Sequence, residues 1–281
     1  MAHIPPEPAA PRVDFATVDA APNPQLFVRY LESAKGNAGI QALKRQSYAL
    51  LEASAGKRLL DVGCGLGDDV RALAQIVGTT GSAMGLDNSQ TMIDAARERS
   101  KGLDFPGSFQ HGDIHHLPFD DGAFDGCRAE RMLIHSDDPA RALAEMARVV
   151  QPGGRVVVIE PDLETVILHL SDHTLARKLT AWQCDSVRNG RVGRQLPGLF
   201  QQCGLADIQI LPTVHYATQL ESFESTQRLV RRAEQDHALT AEEASALLHE
   251  LQERSEHGRY FEFGVFFTLA GRKTAPTAPQ E

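Results

Sequence analysis

Residues 59–69, Leu-Leu-Asp-Val-Gly-Cys-Gly-Leu-Gly-Asp-Asp, hold the reading that decides the fold. An apolar run (Leu59, Leu60, Val62) ends in three glycines spaced two apart, Gly63, Gly65 and Gly67. A helical pattern follows in Val70, Leu73, Ala74 and Val77. The order predicts a strand over 58–62, a tight turn and a helix over about 68–77, the unit that sets a ligand against backbone N–H groups at a helix N-terminus. Glycine suits that turn because it reaches backbone angles closed to other residues and carries no side chain to hold a ligand away.

Downstream, the pattern repeats. Ser82 to Leu86 reads as a second strand ending at Asp87, and Asn88 or Ser89 caps a helix containing Met92, Ile93 and Ala96. Phe109 to Gly112 suggests a third strand ending at Asp113, and Phe124 to Ala129 a fourth. A helix over 139–150 opens at Asp138-Pro139, where proline's missing N–H costs nothing. The β-branched run Arg155 to Glu160 reads as a buried parallel strand. Strand and helix thus alternate through five strands, which predicts a doubly wound α/β sheet.

Beyond Pro161, residues 163–189 read as largely helical and 194–203 as another helix. A sixth strand is expected over Ile208 to Val214, polar helix over 221–255 and a last strand over Tyr260 to Leu269. Ahead of the first strand, 25–34 and 38–53 read as helices broken at Gly36-Asn37. The proline-rich residues 1–24 and the polar residues 274–281 read as a flexible arm and tail. That leaves one domain over 25–273, with a helical lid drawn from 25–55, 163–200 and 215–257.

The net charge of -9 over 281 residues argues against a nucleic-acid or anionic-membrane partner, because both need a basic face. Cys64, Cys127, Cys184 and Cys203 lack metal-ligand spacing, so buried or incidental thiols are expected. The start Met-Ala-His-Ile-Pro-Pro has no charged-then-apolar signal pattern, and no apolar run approaches the ~20 residues of a membrane span. A cytoplasmic location is the expectation.

In such sheets the ligand lies at the C-terminal strand ends, where strand order reverses. Those ends carry Gly63, Gly65, Asp87, Asp113 and Arg128. A carboxylate at Asp87 suits a ribose diol, because it accepts from two hydroxyls, although the same charge also suits a helix N-terminus. A dinucleotide turn has a third glycine where this chain has Asp68, and Asp68 and Asp69 would repel a pyrophosphate. The pattern favours an adenosyl ligand without phosphates over NAD.

The blocks Leu60 to Gly67, Gly85-Leu86-Asp87, Gly112-Asp113-Ile114 through Leu117-Pro118-Phe119, and Leu143 through Gly154 resemble the class I S-adenosylmethionine-dependent methyltransferases. Within them the chain looks most like the small-molecule branch of ubiquinone/menaquinone-type and natural-product methyltransferases. The resemblance covers about 58–160 and implies a seven-stranded, mostly parallel sheet, S-adenosyl-L-methionine as cofactor, and a small-molecule acceptor. By it, Gly63 and Gly65 lie against the methionine part, with Asp61 shaping the turn beneath. Asp87 holds the ribose hydroxyls and Asn88 sits by the adenine. Asp113 accepts from the adenine amino group, Ile114 offers its N–H, and Arg128 lines the methionine side. Tyr30, with Arg45 second, is the candidate that closes on the cofactor carboxylate. The enzyme is expected to act alone or as a homodimer, without nucleic acid or membrane.

A sulfonium methyl is already activated, so alignment and the acceptor's protonation state matter most. His135 is the candidate general base, with packing against the next helix as the plainer role. Glu130 and Glu160 are candidates to orient an acceptor. His115 and His116 stand beside Asp113, but the local spacing supplies no third metal ligand. Arg188, Arg191 and Arg194 would meet an anionic substrate or form a solvated helix end. Trp182, Phe200 and Phe223 would line an apolar pocket or fill the core. The acceptor atom stays open between O, N and C. A cofactor-bound cyclase and a nucleic-acid methyltransferase remain the alternatives.

Overall fold

The computed structural model describes residues 15–33, 37–218 and 220–275. Residues 1–14 of the expected arm, Gly36 of the expected helix break, and 276–281 of the expected tail lie outside the described residues. Two helices, α1 (Gln25–Ser33) and α2 (Ala38–Leu50), precede β1 (Arg58–Val62), α3 (Asp68–Val77), β2 (Ser82–Asp87), α4 (Gln90–Ser100), β3 (Gly107–His111) and β4 (Phe124–Glu130). Then come α5 (Pro139–Val149), β5 (Val150–Leu168), α6 (His173–Ser186), α7 (Val192–Gln202), β6 (Leu205–Ala217), α8 (Leu220–Gln235), α9 (Ala241–Glu256) and β7 (Glu262–Lys273).

The strands form one seven-stranded sheet in the order β3-β2-β1-β4-β5-β7-β6. β1 to β5 run parallel, and β7 enters antiparallel between β5 and β6. Strand order reverses between β1 and β4, which opens the crevice at their C-terminal ends. Leu60, Val62, Leu86, Val156 and Val158 are buried, as expected for parallel strands covered on both faces. The caps follow the sequence: Ser89 accepts the Met92 N–H, and Asp138 accepts the Arg141 N–H ahead of Pro139.

Three sequence expectations need correction. The helix expected from 163 is strand as far as Leu168, because the β-branched run Thr165-Val166-Ile167 continues β5, and Ile167 and Leu168 pair with Phe263 and Glu262. The helical stretch expected over 221–255 is two helices, α9 starting at a Thr240/Glu243 capping box. Residues 15–20 of the expected arm form a 3₁₀ turn, with Val18 buried against Phe27, Val28, Leu66 and Met92. An apolar residue and a capping acid, Val18 and Asp19, outweigh the proline-rich composition there.

Candidate active site

A cavity of ≈ 710 Å³ opens at the β1/β4 crevice, and the residues lining it all lie between Phe15 and Asp137. It gathers nine of the residues singled out above: Tyr30, Gly63, Gly65, Asp87, Asn88, Asp113, Ile114, Arg128 and His135. The glycine turn forms one wall. Gly63 has φ +71, and a Cβ there would lie 2.8 Å from Met132 Cγ, so both conformation and space require glycine. The N–H groups of Gly63 and Cys64 both donate to the Leu86 carbonyl, which ties the turn to β2.

Asp87 closes that tie. Its Oδ2 accepts the Gly65 N–H at 2.8 Å and its Oδ1 the Ser89 N–H at 3.0 Å, so one carboxyl fixes both the turn and the start of α4. Burial raises its pKa against those two bonds. Asn88 is exposed and donates to the Ala16 carbonyl at 3.3 Å. Asp113 Oδ1 accepts from the His115 N–H at 2.8 Å, and Ile114 beside it is buried. Although burial acts the other way, the bonds from His115 and His116 hold Asp113 below the ordinary carboxylate range. Tyr30 stands half in solvent at the mouth, its ring 5.9 Å from that of Phe15, which is 5.4 Å from His135.

The floor is a buried charge cluster. Arg128 lies within β4 and is 1% exposed; it donates to Asp61 Oδ1 at 2.7 Å and to Glu130 Oε2 at 3.0 Å and pairs with Asp69 at 3.2 Å. Asp61 and Arg128 are register partners across β1 and β4, so the sheet itself brings them together. Lys44 pairs with Asp69 and, at 2.9 Å, with Glu130, while the Tyr48 hydroxyl donates to Asp69. Burial lifts Asp61 to about 7 despite Arg128. Asp69 is buried too, but the charges of Arg128 and Lys44 hold it well below the ordinary range. Arg131, in the left-handed region at φ +51, reaches Glu130 Oε1 at 3.0 Å.

His135 sits on the 3₁₀ turn Leu133–His135 after β4. Glu160 is not at the cavity: it is fully buried beneath that turn, where Oε1 accepts the Met132 and Leu133 N–H groups at 2.9 and 2.6 Å. Burial pushes its pKa up to about 8, and Oε2 has no hydrogen-bond partner among the described residues. Asn189 holds the same turn from the other side, donating from Nδ2 to the Leu133 and Ser136 carbonyls at 2.9 and 2.7 Å.

The remaining candidates lie elsewhere. Arg191 and Arg194 pair with Asp185, Glu164 and Asp162, and Arg188 with Asp137, so they read as a salt-bridged helix end. Phe200 fills the main core, and Phe223 and Trp182 pack in a separate helical cluster with Leu179, Val230 and Leu247. Cys64, Cys127 and Cys184 are buried and Cys203 half-buried, all as free thiols. Among the described residues no cluster fit to hold a metal occurs, and no helix is long and apolar enough to cross a membrane.

Sequence reasoning missed Lys44, which lines the cavity where Arg45 was the second candidate; Arg45 is exposed and not part of the lining. The signal was present: Gln41, Lys44 and Tyr48 form a polar stripe at helix spacing beside the buried face of Ile40, Leu43 and Ser47. Phe15, Gln41, His111 and Met132 also line the cavity and were missed.

Comparison with known proteins gives the family. The family model described as a methyltransferase domain matches residues 60–158. The chain belongs to the class I S-adenosylmethionine-dependent methyltransferases. It is 30% identical over 188 residues to a demethylmenaquinone methyltransferase of Bacillus cytotoxicus, covering 61% of this chain and 79% of that protein. It is 39% identical over 186 residues (66% of the chain) to an uncharacterized 37.1 kDa protein in transposon TN4556 of Streptomyces fradiae. It is 38% identical over 120 residues (43% of the chain) to methyltransferase GfsG of Streptomyces halstedii. The chain spans about half the length of those two relatives, 54% and 43%. Among solved structures, YcgJ of Bacillus subtilis shares the fold with a TM-score of 0.57 at 20% identity, over 82% of this chain and 99% of that one. The cyclase SpnF shares it at 0.51 and 23%, over 85% and 86%.

Proposed function

We propose that the chain transfers the methyl group of S-adenosyl-L-methionine to an O, N or C atom of a small organic molecule. The observation that carries this reading is the charge of the cavity lining: seven carboxyl side chains against three cations, Lys44, Arg128 and Arg131. Such a lining suits a ligand bearing sulfonium and ammonium charges and repels a pyrophosphate. The volume is also of the size that encloses a ligand of this kind.

In this reading Asp87 takes the ribose hydroxyls, Asp113 and Ile114 the adenine, and Gly63, Gly65 and the Asp61–Arg128–Glu130 floor the methionine part. The bound cofactor supplies an electrophilic methyl group. The chain's own residues align and shield: Phe15 and Tyr30 cover the mouth, and Arg128, held by three carboxylates, is fixed in place before any ligand arrives. His135, on its clamped turn at the rim, takes a proton where the acceptor is a hydroxyl or carbon acid. A net charge of -9 supports a small molecule over nucleic acid as acceptor.

Methyl-labelled cofactor, offered with phenols, quinols, amines and carbon acids and with tRNA as control, tests this. The expected result is label in a small molecule with equal release of S-adenosylhomocysteine. Label in the tRNA alone, or an acceptor consumed with the methyl still on the cofactor, would contradict it. The second of these outcomes would mark a cyclase-type reaction on the same fold.

A further inference from the structure

We infer that His115 is a positioning residue that ties the adenine end of the cleft to the turn carrying His135, through a hydrogen-bonded chain from Asp113 to His115 to Ser136. This rests on the reading of Asp113 as a cofactor ligand.

His115 Nδ1 lies 2.9 Å from Asp113 Oδ1, the oxygen that also accepts the His115 backbone N–H. Its Nε2 lies 2.9 Å from Ser136 Oγ. A carboxylate only accepts, so Nδ1 carries the proton and, in the neutral ring, Nε2 accepts from the Ser136 hydroxyl. Ser136 follows His135 in the chain and is 3% exposed. Its Oγ also takes the Asp138 N–H at 3.2 Å, and its carbonyl takes Asn189 Nδ2 at 2.7 Å. The His115 carbonyl is fixed in turn by Arg141 Nε at 3.0 Å. Both ends of the imidazole are therefore committed, one to the loop after β3 and one to the turn after β4.

The connectivity is that of a nucleophilic triad, but the burial is reversed. In a triad the carboxylate is buried and the hydroxyl faces substrate. Here the Asp113 side chain is 58% exposed, while Ser136, although it lines the cavity, is buried with its hydroxyl bonded to His115 and to the Asp138 N–H. The chain of bonds suits transmission of position, not attack. A ligand group that orders Asp113 orders Ser136 and the backbone beside His135, and the coupling is reciprocal.

A double-mutant cycle on S-adenosylhomocysteine affinity, read by calorimetry on the full chain, tests this with wild type, Asp113→Ala, Ser136→Ala and the double variant. The expected result is that Ser136→Ala weakens binding by about fivefold in the wild-type background and leaves Asp113→Ala unchanged. A purely structural loss would lower affinity in both backgrounds. If Ser136→Ala does not fold, His115→Asn replaces it; its amide reaches Asp113 and falls short of Ser136, and the same non-additivity is expected. Additive losses, or no loss, would overturn the inference alone. A folded wild type that does not bind S-adenosylhomocysteine would overturn the cofactor reading with it.

Discussion

Asp87 and Glu160 are both buried strand carboxyls, the first at the end of β2 and the second within β5, and they do opposite things. Asp87 spends both oxygens on the glycine turn and α4 while lining the cavity, so Asp87→Ala should lose cofactor binding by more than about a hundredfold, beyond what one missing hydrogen bond explains. Glu160 does not line that cavity. Its pKa is raised from 4.5 to about 8, so the folded protein keeps a proton that the unfolded chain releases across that range. Its contribution to stability is therefore complete below pH 4.5 and is lost as pH rises towards 8. Glu160→Gln, which keeps the acceptor for Met132 and Leu133, should gain stability over wild type progressively from pH 4.5 to about 8 and level off above it. Chemical denaturation across that range checks it, and an unchanged difference would contradict it. Glu160→Ala, with the two N–H groups left buried and unpaired, should cost about 2–3 kcal/mol at low pH.

At the scale of elements, the segment Phe15–Ala20 closes the mouth of the cavity by way of Asp19. Its carboxylate accepts from Ser89 Oγ and the Gln90 N–H at 2.7 Å each, and from the Thr91 N–H at 3.2 Å, capping α4 beside Asp87. Burial opposes it, yet these bonds keep the Asp19 pKa low. Asp19→Ala should cost about 1–2 kcal/mol and raise hydrogen exchange in 15–31 and in the first turn of α4, with faster release of S-adenosylhomocysteine. Unchanged exchange in both would contradict the latch. This element was not legible in the sequence, because a lone Val18-Asp19 among prolines gives no period, and its partners lie about 70 residues on. β5 beyond Pro161 was misread for a related reason: its partner, Phe263 to Val265, is about 100 residues away. By contrast β1 and α3 were legible to the residue, since the glycine turn that joins them is local.

For the whole molecule, the alternation of strands and helices made the parallel sheet legible in the sequence, and the strand-end carboxylates pointed to the crevice. The floor was only partly readable. Asp61, Asp69, Arg128 and Glu130 come from three elements, and Lys44 from a fourth, so their convergence follows from strand order, which no single stretch encodes. The second helical cluster around Leu179, Phe223 and Leu247 lies off the cavity, and 163–200 reaches the site at Asn189, which holds the turn, and at Arg188, which pairs with Asp137 of the lining. Lys44→Ala leaves Asp69 and Glu130 with fewer cations, and it should lower stability by about 1–3 kcal/mol and weaken cofactor binding in the same variant. Thermal unfolding with and without ligand checks both effects.

The most direct test is calorimetric titration of the full chain with S-adenosylmethionine and S-adenosylhomocysteine, with NAD as control. Saturable binding of both sulfur ligands, none of NAD, and loss of both on Asp87→Ala is the predicted result. A folded protein that binds neither, or that binds NAD in their place, would contradict the assignment of the cavity.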